Sequence, residues 1–262
     1  METPLVRYEV DDGVAIVSLN RPQRHNAVND EMGAEWHAAI LRAIHDASVG
    51  CILLRGEGPS FCSGRDTADL GRRASGEDDF WFVRHHQDVR LALLDAPKGV
   101  VAAIHGWVLG GGLETALAAD LRVAATDTRM GFPEIGFGLV ADTGGTQLAS
   151  VLAGPSRAKW LLMSGEPIDA SQALAWGLVD WVVPREELDE RALAICRRIA
   201  TAPRTAVAII KQLVDQFWLP VIRNGIRQEL LAQTTLFAVV DRKADGRVAK
   251  PGDDLFRSEE EG

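Results

Sequence analysis

His105-Gly106-Trp107-Val108-Leu109-Gly110-Gly111-Gly112-Leu113-Glu114 stands between an apolar run, Val100 to Ile104, and an alanine-rich segment, Leu113 to Ala119. That order predicts a strand, a glycine loop and a helix. Glycines at a helix start let backbone N–H groups approach another molecule closely, because no Cβ intervenes. The first N–H groups of a helix lack partners inside it, and the helix dipole favours negative charge there. Such a place can hold an anion, or an oxygen that becomes anionic during a reaction. Glu114 follows within the first turn and is a candidate acid or base. The stretch is neither a dinucleotide fingerprint nor a Walker loop: position 115 is Thr, and no Gly-Lys-Ser/Thr follows. Taken alone, it also fits simple close packing of strand on helix.

Composition narrows the class. The chain has 262 residues, 47% of them hydrophobic and 25% charged, which suits a globular protein with a sizeable core. Its net charge is −9 and no basic run is visible, so nucleic acid is not an expected partner. The cysteines Cys51, Cys62 and Cys196 are scattered and odd in number, so neither a disulfide framework nor a metal site is expected. No run approaches a membrane span, and Met1 to Val10 does not resemble a signal peptide. The expected location is cytoplasmic, with no membrane partner.

Outward from the glycine loop, strands and helices alternate. Val6–Val10 and Val14–Leu19 flank Asp11-Asp12-Gly13 and read as a β-hairpin. Asn29 or Asp30 can cap a helix carrying Met32, Trp36, Ala39, Ile40, Ala43 and Ile44 at helical spacing. Cys51–Leu54 reads as a buried strand, Asp66–Leu70 as a segment with helical potential, and Asp78 to Leu94 as an amphipathic helix. Beyond Glu114 we expect a strand at Leu121–Ala124. Helices follow from Gly145 to about Leu152, from Pro155 to Met163, and from a cap at Asp169 to Gly177. Leu178–Val183 is the last expected strand. From Glu186 the chain reads as helical only, with Pro220 ending or kinking a helix and an acidic, frayed end from Gly252 to Gly262. Alternating strands and helices predict βαβ crossovers and a mostly parallel core.

Chemistry-bearing residues collect in four places: Phe61-Cys62-Ser63-Gly64-Arg65-Asp66, Gly110-Gly111-Gly112-Leu113-Glu114, Phe132-Pro133-Glu134, and Leu139-Val140-Ala141-Asp142-Thr143-Gly144-Gly145-Thr146. With the opening Arg21-Pro22…Asn26-Ala27 and the late Ala173-x-x-x-Gly177-Leu178-Val179, they stand in the order and at the spacing of a known family. The chain resembles the crotonase superfamily, the enoyl-CoA hydratase/isomerase group, over nearly its whole length. The resemblance implies an α/β fold: a crotonase (ClpP-like) spiral of repeated ββα units over residues 1–198, making two roughly perpendicular sheets. A C-terminal helical trimerisation region would occupy residues 199–262. It further implies a homotrimer or a hexamer built as a dimer of trimers, an acyl-CoA thioester substrate of fatty acid metabolism, and no metal or redox cofactor, coenzyme A being part of the substrate.

The same resemblance assigns roles. The backbone N–H groups of Arg65 and Gly111 would form an oxyanion hole for a thioester enolate. Losing one such donor typically costs roughly 3–4 kcal/mol of barrier. Ser63, Gly64, Asp66 and Thr67 would line the coenzyme A path, with Gly110 beside them, and Arg24 lies where the family often contacts coenzyme A. The Arg65 side chain could lie near a phosphate. Glu114 and Glu134 would hold a water, the first acting as base and the second as acid, so the expected activity is hydration of a 2-enoyl-CoA. Asp142 departs from the hydratase pattern and resembles the acid of isomerases that move a double bond using Glu134 and Asp142, which is the alternative. A non-catalytic acyl-CoA-binding homologue would be marked by loss of the glutamates, and both are present.

Each residue also has a plainer reading. Asp142 is either catalytic or the N-cap of the Gly145 helix. Cys62 reads as a small buried residue and not as a nucleophile. His85 and His86 read as solvated helix positions, and His105 as a packing residue. Phe80, Trp81 and Phe82 line an acyl pocket or pack elsewhere. The variable segment Gly71–Arg84 is expected to shape that pocket.

Overall fold

The computed structural model describes residues 4–72, 77–241 and 246–249. The acidic end expected to fray, Gly252 to Gly262, lies outside the described residues, as do residues 73–76 of the Gly71–Arg84 segment. The chain runs β1 (Val6–Asp11), β2 (Val14–Leu19), α1 (Asp30–His45), β3 (Cys51–Gly56), α2 (Asp79–Asp95), β4 (Gly99–Ile104), β5 (Trp107–Leu109), α3 (Gly111–Leu117), β6 (Leu121–Ala125) and β7 (Arg129–Gly131). It continues through α4 (Gly145–Ala153), α5 (Pro155–Ser164), β8 (Ile168–Asp169), α6 (Ala170–Trp176), β9 (Trp181–Val183), α7 (Leu188–Ala200), α8 (Arg204–Asp215) and α9 (Leu219–Phe237).

Two sheets form: a six-stranded one in the order β1-β2-β3-β4-β6-β9, and a three-stranded one in the order β5-β7-β8. In the larger, only the β1–β2 hairpin is antiparallel; the other pairs are parallel. Its inner strands β2, β3 and β4 are almost wholly apolar because both faces are covered, whereas the edge strand β1 is mostly exposed. Successive side chains of a strand point to opposite faces. Val14 and Ile16 of β2 accordingly pack with Leu188, Ala192 and Cys196 of α7, while Ala15, Val17 and Leu19 join the main core with Met32, Trp36 and Ile40 of α1.

Caps fall where the sequence places them. The Asn29 side chain accepts the Met32 N–H at the start of α1, and the Asp169 side chain accepts the Gln172 N–H at α6. Pro220 differs from expectation: it lies in the first turn of α9, where a missing N–H costs nothing, so it opens a helix and does not end one. Asp66–Leu70 forms turns and not a helix. The Asp66 carboxylate accepts the Ala68 N–H at 3.0 Å, which offers the backbone an alternative to the helix.

The last two helices behave differently from each other. No α8 residue is buried, and Ile209, Ile210, Leu213 and Val214, with Phe217 just beyond, present an apolar face to the exterior. Helix α9 returns to the body. Its Ile222 and Ile226 enter the main core, and Leu230 and Phe237 pack with Phe82 and Val83 of α2 and with Leu139. Gly225 lets α9 approach α4, since a Cβ there would overlap the Gln147 side chain.

Candidate active site

The loop after β3 is drawn against two neighbours by isolated parallel bridges, Cys62 with Val108 and Arg65 with Val28. In the second, the Val28 N–H donates to the Gly64 carbonyl at 2.8 Å and the Asp66 N–H donates to the Val28 carbonyl at 2.9 Å. That pairing turns the N–H of Arg65 itself away from Val28. Gly64, at φ +89°, makes the turn, and a Cβ there would stand 2.8 Å from the Leu109 carbonyl oxygen and 3.6 Å from the Gly111 nitrogen. Gly111 is the first residue of α3, so its N–H has no intrahelical partner. Among the described residues, neither the Arg65 nor the Gly111 N–H donates to another protein group. Two bare donors therefore stand side by side, one reinforced by a helix dipole.

Glu114 is buried at 2% exposure and accepts three hydrogen bonds. Its Oε1 accepts the N–H groups of Thr143 at 2.8 Å and Gly145 at 2.9 Å, and its Oε2 accepts the Thr143 hydroxyl at 2.6 Å. A carboxylate has about four acceptor positions, so one remains on Oε2. That oxygen faces Gly111, whose hypothetical Cβ would lie 3.9 Å from it.

Glu134 is in the opposite condition. It sits in a short 3₁₀ turn, Pro133–Phe137, and among the described residues its buried Oε2 receives no hydrogen bond. Burial, then the charge of Glu114, with a smaller contribution from Asp142, pushes its carboxyl well above the usual carboxylate range. The pair is thus arranged as one carboxyl group held by three hydrogen bonds and one group biased toward carrying a proton.

Both line a cavity of about 140 Å³, together with Asp142, Thr143, Arg65 and Gly111. Ser63, Gly64, Thr67 and Gly110 also line it, whereas Arg24 is exposed and stands outside. Asp66 is buried in an ion pair with Arg21 at 2.5 Å and does not line the cavity. The Arg65 guanidinium is paired with Asp30 at 2.6 Å. Asp142 is not the helix cap: Gly144 occupies that position without a side-chain cap bond, and the Asp142 carbonyl accepts Gln87 Nε2 at 2.7 Å. Of the aromatic trio, Phe82 lines the cavity while Phe80 and Trp81 are exposed. Cys62 is buried, its thiol pushed up to about 11 by burial, as a packing residue should be. Buried His105 bonds the Gly58 carbonyl at 3.0 Å.

Several wall residues were not foreseen. His86, expected to be solvated, is half-buried, and desolvation together with Arg65 lowers its pKa to about 4, leaving it neutral. Arg90 is buried and donates to the carbonyls of Gly111 at 2.7 Å and His86 at 3.0 Å. Gln233 and Phe237 reach the cavity from α9. The available signal was a polar residue inside an apolar helical stripe: Gln87 and Arg90 among Val83, Val89 and Leu93, and Glu229 and Gln233 among Ile222, Ile226, Leu230 and Phe237.

Comparison with known proteins agrees with this architecture. The family model for enoyl-CoA hydratase/isomerase matches residues 9–249. A short-chain-enoyl-CoA hydratase of Clostridium acetobutylicum is 34% identical over 245 residues, covering 93% of each chain. A 1,2-epoxyphenylacetyl-CoA isomerase of Escherichia coli is 34% identical over 209 residues, 79% of this chain and 80% of the relative. The crystal structure of an enoyl-CoA hydratase/isomerase from Xanthobacter autotrophicus superposes with a TM-score of 0.82 at 30% identity, covering 93% of this chain and 88% of that one. The fold is that of these proteins: two sheets of mixed strand direction with helices at the C-terminal end.

Proposed function

Because the chain belongs to the enoyl-CoA hydratase/isomerase family, whose substrates are acyl-CoA thioesters, we propose that it adds water across the 2,3 double bond of a 2-enoyl-CoA. The observation that carries this reading is the opposite condition of two glutamates on one cavity: Glu114 accepts three hydrogen bonds, and Glu134 is held toward its protonated form by burial and charge. A carboxyl held toward its protonated form is a natural acid, and a neighbouring carboxyl with an open acceptor position is a natural base.

The thioester oxygen lies between the Arg65 and Gly111 N–H groups. Water enters at the open position on Glu114 Oε2. Glu114 takes one of its protons as the oxygen bonds to Cβ, and the double-bond electrons move to the thioester oxygen, where the two donors stabilise the enolate. Glu134 then gives its proton to Cα, and the carbonyl re-forms. One proton has gone to Glu114 and one has left Glu134, so a single transfer between the acids restores the starting state.

Asp142 supports a second reading. It shares the cavity with Glu134, and two acids on one cavity can shuttle a proton along a conjugated acyl chain without adding water. Mass spectrometry separates the two. Offered a short 2-enoyl-CoA, the protein should give a product heavier by one water, and a Glu114→Gln variant should not. A 3-enoyl- or 3,5-dienoyl-CoA converted without change of composition, but with deuterium uptake in deuterated water and dependence on Asp142, would replace hydration with isomerisation. The apolar outer face of α8 supports assembly into a homotrimer, since a monomer rarely exposes so continuous a patch.

A further inference from the structure

The turn that opens α4 offers its successive N–H groups to two different carboxylates. Thr143 and Gly145 donate to Glu114 of α3 at 2.8 and 2.9 Å. Gly144 and Thr146 donate to Glu229 of α9, at 2.6 Å to Oε2 and 2.9 Å to Oε1. The hydroxyls divide the same way: Thr143 bonds Glu114, and Thr146 bonds Glu229. Glu229 is 4% exposed, and its partner Gly144 lies 85 residues away in sequence.

An ordinary helix cap needs only a local Ser, Thr, Asp or Asn. Here the cap position is Gly144, with no side chain to offer. The donors of this turn are instead held from two sides by helices far apart in the chain. The peptide units alternate, so the turn cannot rotate away from Glu229 without also withdrawing its N–H groups from Glu114. The same α9 face continues to the cavity: Gln233 Oε1 accepts the Val140 N–H at 3.2 Å.

We propose that Glu229 is a positioning residue for Glu114, so that docking of α9 through this carboxylate sets the orientation of the base. The proposal rests on the hydratase reading only in taking Glu114 as the base; the geometry it concerns is independent of the reaction. Glu229→Gln replaces one acceptor oxygen with an N–H donor facing N–H donors, leaving the Glu114 side chain intact.

The test compares wild type, Glu229→Gln and Ile226→Val, the last trimming the α9 core contact without touching the carboxylate. In Glu229→Gln, kcat for enoyl-CoA hydration should fall about 10- to 100-fold with KM held within about threefold, the split expected when a group needed in the transition state is misplaced. Amide hydrogen exchange at Thr143 and Gly145, the donors to Glu114, should quicken roughly tenfold or more. Ile226→Val should lower Tm and leave kcat within about twofold. Unchanged kcat in Glu229→Gln, or a loss matched by Ile226→Val, overturns the proposal, as does unchanged exchange at Thr143 and Gly145. If the wild type hydrates no enoyl-CoA, the hydratase reading fails, and the exchange comparison alone decides the role of Glu229.

Discussion

Gly110 and Glu134 are packed so closely that a Cβ on Gly110 would stand 2.4 Å from Glu134 Oε1. The Gly110 N–H donates to the Gly131 carbonyl at 3.0 Å, which holds the two segments together. Its φ of +49° and ψ of −124° also lie outside the regions open to other residues. Gly110→Ala should therefore push the acid out of place as well as strain the loop. We expect kcat/KM to fall about 100-fold or more, with a stability loss of about 1–3 kcal/mol by urea titration. Retention of full hydration activity would show that the placement of Glu134 does not matter.

At Arg65, backbone and side chain separate. The N–H is one of two bare donors, whereas the guanidinium is occupied by Asp30 at 2.6 Å. Arg65→Ala keeps the donor and should leave kcat within about fivefold. Gly64→Ala forces a Cβ to 2.8 Å from the Leu109 carbonyl oxygen and strains a φ of +89°, which swings the Arg65 N–H off its target. Its kcat should fall by about 100- to 1,000-fold, the scale of one lost oxyanion donor. Steady-state kinetics on both variants checks the contrast, and equal losses would place the function in the side chain.

Strands buried on both faces are legible because they are continuous apolar runs, as at Cys51–Leu54 and Val100–Ile104. The resemblance implies two sheets, but the sequence pattern does not place the strands of the second. β5 and β7 have three residues each and β8 has two, too short for any periodicity to register. Glu114 was legible from its place in the first turn after the glycine loop, and Glu134 through the resemblance that its Pro-Glu segment carries. Asp142 was ambiguous because a cap and a cavity acid share one local pattern. Only the tertiary placement of Glu229, which takes over the capping of α4, separates them. His86 and Arg90 were hidden because α2 is only weakly amphipathic, with polar residues on its buried face.

The state of Glu134 also has a signature in stability. Its carboxyl is raised in the folded protein well above the ordinary glutamate value, chiefly by burial and then by the charge of Glu114. Between those values the native state binds more protons than the unfolded chain, so stability falls as pH rises through the window and levels off above the folded value. Glu134→Gln has no such proton. Its stability relative to wild type should improve by about 1.4 kcal/mol for each pH unit within the window. Glu229, raised to about 8, is common to both proteins and cancels in the difference. Urea titrations from about pH 5 to pH 7 check this, and parallel curves would mean that Glu134 ionises freely in the fold.

Arg21, at the head of the Arg21-Pro22…Asn26-Ala27 segment, serves the fold and not the ligand. Its guanidinium bonds Asp66 at 2.5 Å and the Ala27 carbonyl at 3.0 Å, and its N–H donates to Asn26 Oδ1 at 2.8 Å. Asn26 in turn donates to the carbonyls of Ser60 at 2.7 Å and Glu57 at 3.0 Å. This brace holds the loop that presents Arg65. Burial opposes ionisation of Asp66, but the bonds and charge of Arg21 and the Ala68 N–H outweigh it and hold the carboxyl below its usual value. The contribution is present above the unfolded value and is lost as pH falls through the folded one. Arg21→Met leaves a carboxylate buried and unpaired, so we expect a loss of about 3–5 kcal/mol near pH 7. The loss should shrink in acid, and adding Asp66→Asn should recover part of it because the uncompensated charge is gone. Chemical denaturation of the single and double variants reads this directly. A single-variant loss below about 1 kcal/mol, the scale of an exposed ion pair, would mean that the brace contributes little and that the segment is free to serve the ligand.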